Sequence, residues 1–458
     1  MPDHIKEIKF GSLYNTPISL PRSIKKVKFG TEFDQPIHLP DGIEVVHFGF
    51  AFDTQINYPN SIRELIFGWK FNNPVVLPAN LEHLEFGRSF NRPVYLPPKL
   101  KSLILGDVFD QPIILPESLR IVRFGLQFNQ PIILPNNLKK VSFGFSFNQP
   151  IIISNATEHV SFGGRFNQQV RLPNKLKHLT FGYKFNRPIQ LPDGLQVLVF
   201  GSEFNQPIQL PKSLRQVEFG YDFNQPVVLP DNLHTLAIGQ MFTQPITLPE
   251  SLDTLYWFSD CPVRLSPRIR ILVFGLTFNQ PLELPDNINY LEFGPRFNQP
   301  ILLPNNIHTV WFGHDFNQPV LLPKNLYKIK FGANFNQPLG KLPDNAHSIQ
   351  FGTNFNQPLG RLPYSLHRLI FGEAFNHPIN LPHTIFEVYF GDEYNQRTWL
   401  PDGVNRATFG RSFNKPIFLP TSIMYIAFDI SYKQNIMVEP KFDISKIHER
   451  HHSQIKII

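Results

Sequence analysis

The sequence predicts a mainly β solenoid of about 23 coils of 19 residues, with one short parallel strand in each coil. Three observations lead there. Glycine follows an aromatic or aliphatic residue at positions 11, 30, 49, 68, 87, 106, 125, 144, 163, 182, 201, 220 and 239, which is twelve successive intervals of 19. The composition is lopsided, with 45 Phe and 44 Pro against 4 Trp and 4 Met in 458 residues. Most units also carry two prolines four residues apart, which remove backbone donors, hold the preceding residues extended and forbid a regular helix on that side.

The period resumes at Gly275, Gly294, Gly313 and Gly332, stretches to 20 for Gly352 and Gly372, and returns to 19 for Gly391 and Gly410. Phe258 and Asp429 occupy the glycine slot of two degenerate units. The consensus is LPxxLxxLxFGxxFNQPIxL. It absorbs nearly all the phenylalanine, with 20 units having Phe before the glycine slot and 19 having Phe three residues after it. Residues 1–439 therefore read as one repeat domain with a single core, and 440–458 as a C-terminal cap or tail.

Within the unit, Leu-x-Phe before the glycine has the alternation of a short strand. Nineteen residues leave no room for a full helix and a return. Parallel strands stacked coil on coil then bury six inward positions per unit, namely Leu, Leu and Phe of the strand side and Phe, Ile and Leu of the return. Stacking is obligatory, because one such coil cannot bury its apolar face alone. The glycine slot calls for either a positive φ or a backbone too close to its neighbour for a Cβ. The Asn of FNQP suits a turn or a coil-to-coil ladder. The Gln beside it (Gln111, Gln130, Gln149, Gln206, Gln225) reads as a solvated side chain.

Composition narrows the function. With 42% hydrophobic and 14% aromatic residues the chain is not disordered, and the net charge of +7 is diluted, with no run of five like charges to make a nucleic-acid arm. A single cysteine, Cys261, excludes a disulfide framework and a multi-thiolate zinc site. No stretch approaches 18 apolar residues and no secretory signal precedes the first repeat. The expectation is a soluble cytoplasmic monomer without cofactor, nucleic-acid partner or membrane partner.

The repeats spelled LPKSLRQVEFGYDFNQPV (Leu210 to Val227) and LPDNINYLEFGPRFNQPI (Leu284 to Ile301) closely resemble the FNIP repeat of social amoebae and of giant viruses that infect amoebae. The resemblance implies a leucine-rich-repeat-like solenoid and, if the chain is viral, a place in host cytoplasm with a host protein as partner. Many members carry an N-terminal F-box, which would imply substrate recruitment in a ubiquitin ligase. Here Pro2, Ile5, Ile8, Phe10 and Gly11 already fill repeat slots and leave no room for one, so that role would need a separate F-box subunit.

No phosphate-binding loop, nucleophile elbow or calcium loop occurs, and the core slots are apolar, so an enzyme is not expected. His448-Glu449-Arg450-His451-His452 has HExxH spacing, which on a helix could hold zinc. Only six residues follow it, and its neighbours Ile444, Ile447, Ile455, Ile457 and Ile458 read as an apolar cap over the last coil. The sequon Asn155-Ala156-Thr157 has no meaning without secretion.

The outward strand slots carry the stronger signal. Over much of the array they hold mixed residues such as Glu64, Glu85, Lys140, Glu218, Lys328 and Lys330. Around the irregular unit they read Thr254, Tyr256, Ile271, Val273, Tyr290, Thr309 and Trp311, interrupted by Glu292. In that unit Trp257 takes the first Phe slot, Phe258 the glycine slot and Cys261 the second Phe slot, two residues short, so the contour is expected to pinch. Exposed aromatic clusters favour partner binding. The expected docking residues are Tyr256, Ile271, Val273, Tyr290 and Trp311, on a non-enzymatic scaffold for a protein partner.

Overall fold

The computed structural model describes residues 4–457. Pro2 of the first repeat and Ile458 of the cap lie outside the described residues. The chain divides into two compact units, Met1–Leu233 and His234–Ile458.

The first unit holds twelve three-residue strands, from Glu7–Lys9 to Gln216–Glu218. Within the unit successive strands pair in parallel, Glu7 opposite Lys26 at one end and Val197 opposite Gln216 at the other. The middle residue of each strand points inward and its two neighbours outward, as period-2 geometry requires. In Lys140–Ser142, for example, Val141 is fully buried while the flanking residues are exposed or half-exposed. The six inward slots are as the pattern foretells: Leu119, Val122, Phe124, Phe128, Ile132 and Leu134 are all buried in one coil. After the second proline a tight turn closes, with the Leu138 N–H donating to the Pro135 carbonyl at 3.2 Å. The return segment before it makes no backbone ladder with its neighbours in this unit, and its prolines remove some of the donors.

Two aromatic columns run through this core. Phe143 stacks on Phe124 at 5.2 Å, on Phe162 at 5.5 Å and on Phe147 of its own coil at 4.0 Å. Phe147 lies 6.1 Å from both Phe128 and Phe166. The coil rise places each ring at offset-stacking distance from the next, which adds to the burial itself.

The glycine slot is settled by contact and not by φ. No glycine among the described residues has a positive φ. A Cβ on Gly144 would stand 1.8 Å from the carbonyl oxygen of Gly125.

Asparagine forms the coil-to-coil ladder. The Asn148 Oδ1 accepts the Asn167 N–H at 2.9 Å, and the same contact recurs from Asn129 to Asn148 and from Asn186 to Asn205. The glutamines are not merely solvated: the Gln168 Nε2 donates to the Asn148 carbonyl and side chain at 3.2 Å, and Gln149 to the Asn129 carbonyl at 3.0 Å. Asp34, Asp53 and Asp110 accept in the same way, since only an oxygen is needed. Asn148→Ala should therefore lower stability by about 1–2 kcal/mol by orphaning the Asn167 N–H, and Asn148→Asp by far less. Urea midpoints of the two variants check this.

The second unit repeats the plan with eleven strands from Thr235–Ile238 to Tyr425–Ala427. The register survives the irregular spacings: Thr254 lies opposite Ile271, seventeen residues on, and Lys328 opposite Ser348, twenty on. One strand per coil is corrected near the C-terminus. There the return segment Ile436–Val438 pairs on one side with the return segment Ile417–Leu419 and on the other with Ile455–Ile457, in a second parallel sheet. The cap is built from two short 3-10 helices, Ile444–Lys446 and Glu449–Gln454. It buries Ile447 and His451, while Ile444 and Ile457 face out, so the isoleucine row is not the apolar face that the spacing suggests.

Candidate protein-interaction surface

The expected docking residues all lie on strands of the second unit. Thr254–Trp257 and Ile271–Phe274 are four residues long, and Tyr290–Glu292 and Thr309–Trp311 follow. Their register makes two outward columns. Tyr256, Val273, Glu292, Trp311 and Lys330 form one, and Thr254, Ile271, Tyr290, Thr309 and Lys328 the other. The strands bring the five residues together.

Tyr290 sets its ring edge against Trp311, with centroids 5.6 Å apart. The Tyr290 hydroxyl donates to Glu292 at 2.7 Å. Partial burial, this hydrogen bond and the charge of Glu292 push the Tyr290 phenol up, so it stays neutral and a donor. Glu292, which interrupts the apolar stripe in sequence, is thus held by the stripe itself. Ile271 and Trp311 are exposed, and Tyr256, Val273 and Tyr290 are half-buried. Lys330 lies over the Trp311 ring at 5.6 Å, and Lys328 stands exposed beside it. One end of the apolar stripe is therefore cationic.

The irregular coil differs from its sequence reading. The Asn279 N–H bonds Asp260 Oδ1 at 2.9 Å, which places Asp260 in the Asn slot. Cys261 then occupies the Gln slot and not the second Phe slot, and the two missing residues are those just after the glycine slot. Buried Ser259 stands where Phe is usual and donates to the Phe242 carbonyl at 2.6 Å. The Trp257 indole fills the lost volume, edge-on to Phe242 at 6.0 Å, and its N–H reaches the Cys261 carbonyl at 3.0 Å. Phe258 turns outward beside Tyr256, with centroids 6.4 Å apart, and extends the stripe to the turn.

In the first unit the strand face carries an open groove of about 970 Å³, lined among others by Trp69, Arg88, Leu126, Lys140 and Phe145. Arg88 covers Trp69 at 4.6 Å and Arg165 covers Phe145 at 5.5 Å. The sequence signal for this rim was present in the first residue after each glycine, where Phe50, Trp69, Leu126, Phe145, Tyr183 and Tyr221 recur. Elsewhere on this face charges pair along the coils. Glu158 sits between Lys139 and Lys177 at 3.0 Å each, and their hydrogen bonds hold its carboxyl down at about 2.

The HExxH residues serve as caps. The His448 side chain accepts the Arg450 N–H, a His452 ring nitrogen lies 2.9 Å from the Ile447 carbonyl, and His451 packs edge-on against Phe428 and Tyr432. Among the described residues no group of three or more His, Cys, Asp or Glu is placed to hold a metal, and no helix is long and apolar enough to cross a membrane. Thr157 of the sequon fills a leucine slot, buried, and donates to the Leu138 carbonyl at 3.0 Å.

The FNIP Repeat model matches twelve stretches between residues 14 and 393, continuous over 14–222 and again over 262–393. The chain belongs to the FNIP repeat family. Among solved structures, this FNIP protein is similar to CroV588, a giant-virus protein described as a circular leucine-rich-repeat structure. The two are 35% identical, with a TM-score of 0.79 over 100% of this chain and 80% of that one. YopM from Yersinia enterocolitica WA-314 shares the fold at 16% identity and a TM-score of 0.55, over 93% of this chain and 91% of that one. No curated protein matches the sequence.

Proposed function

We propose that this FNIP protein is a non-enzymatic scaffold that binds a protein partner through the strand face of its second unit. The leucine-rich-repeat-like architecture supports this reading, because such repeats offer extended surfaces on a rigid sheet. The observation that carries it is the stripe of Tyr256, Ile271, Val273, Tyr290 and Trp311. Rigid aromatic side chains are the residues that anchor interfaces, and the strand fold does not demand them, since Lys and Glu fill the same slots elsewhere.

Charge narrows the partner. Lys328 and Lys330 flank the Trp311 end, so the complementary segment is apolar with acidic residues at that end. In the cytoplasm of an infected cell it would belong to a host protein. Replacing Tyr256, Tyr290 and Trp311 by Ser should abolish recovery of the partner in affinity purification from expressing cells, with the melting temperature within a few degrees of wild type. An unchanged set of co-purifying proteins would refute the proposal. Recovery of a cullin with its linker subunit would instead assign the scaffold to a ubiquitin ligase.

A further inference from the structure

We infer that a second copy of this chain covers the return face of the first unit, which goes beyond the strand-face reading and departs from the expected monomer. The return segment has its own outward slot, between the buried Ile and Leu of PIxL. In five successive coils it holds Val76, Tyr95, Ile114, Ile133 and Ile152, which are 88–94% exposed. The prolines two residues before each, from Pro74 to Pro150, share that face, because alternate residues of an extended chain point the same way, and all five are exposed. No charged side chain interrupts this two-column patch.

The fold does not impose it. The same slot holds His38 and Asn57 in the preceding coils and Arg171, Gln190 and Gln209 in the following ones. The apolar run is thus bounded at both ends by polar residues that the coil accepts equally well.

Area and spacing identify the occupant. Five side chains at 88–94% exposure, with the five exposed prolines beside them, make a patch beyond the largest of a typical monomer (about 300–600 Å²) and of the order of the ~800 Å² per partner of a stable interface. A partner adds a strand only at a sheet edge, and this face is the flank of stacked coils, so a partner here must pack side chains. Packing into five ridges repeating at the coil rise requires a surface with the same rise. A second copy related by a two-fold axis has it by construction, and such an interface is self-complementary.

Sedimentation equilibrium of the full chain across the micromolar range tests this. The expected result is a species of twice 53.0 kDa that falls to half that mass in the double variant Ile114→Glu, Ile133→Glu, with an unchanged circular-dichroism melt. Should that variant misfold, the single change Ile114→Gln, at a site 88% exposed, should weaken the dimer at least tenfold. A wild-type chain that remains monomeric throughout overturns the inference, even if it binds phosphatidylcholine vesicles, an outcome that would give the face to lipid. A dimer that survives these substitutions overturns it equally.

Discussion

Gly144→Ala is expected to cost about 4 kcal/mol or more, at the upper end of single substitutions. The added methyl would meet the Gly125 carbonyl oxygen at 1.8 Å and its carbonyl carbon at 2.4 Å. Both are backbone atoms, fixed by ladders on either side. The neighbour cannot swing away as a flexible side chain could, so relief requires parting two coils along their hydrogen bonds. Gly360→Ala is the control: it adds the same methyl where nothing lies within 4 Å and φ is not positive. That change should be neutral or slightly stabilising, because alanine narrows the unfolded ensemble. Urea midpoints of the two variants should differ widely, and equal midpoints would show that the slot is not a contact slot.

Phe143→Ala should cost about 3–5 kcal/mol. The ring is 5% exposed and stacks on three others. The cavity left by truncation cannot collapse cheaply, because each neighbouring ring is tied to the next coil at the same spacing. Lys140→Ala, three residues earlier at the start of the strand that leads to Phe143 and facing out, should cost under about 0.5 kcal/mol. Comparable losses at the two sites would mean that inside and outside are exchanged.

The fold was legible because the period repeats it: a slot read once is read more than twenty times. Gly144, Asn148 and Phe143 were each placed correctly by register, although φ and close approach give the glycine the same sequence signature and only the backbone separates them. The Gln row was harder, since a carboxamide beside proline looks solvated until the partner Asn one coil back is in view. Register failed where it was broken. Counting from Phe258 put Cys261 in the wrong slot, because the ladder from Asn279 selects Asp260 whatever the count. The second sheet around Ile417–Leu419 was passed over, although Asn435 stands in the proline slot just before Ile436–Val438.

Of the candidate surfaces, the strand stripe was readable because alternation separates inward from outward residues on a strand. The return row of Val76 to Ile152 was passed over, because between two prolines an apolar residue next to a buried Ile reads as core.

The central claim is that partner recognition resides in the outward slots of the second unit's strands. Carbene footprinting of the complex recovered by affinity purification, compared with the free chain, tests it most directly. Protection should concentrate at Tyr256, Ile271, Val273, Tyr290 and Trp311 and fade beyond Lys330. Protection confined to the Trp69–Phe145 groove or the return face, with the stripe labelled as in the free chain, would contradict the claim.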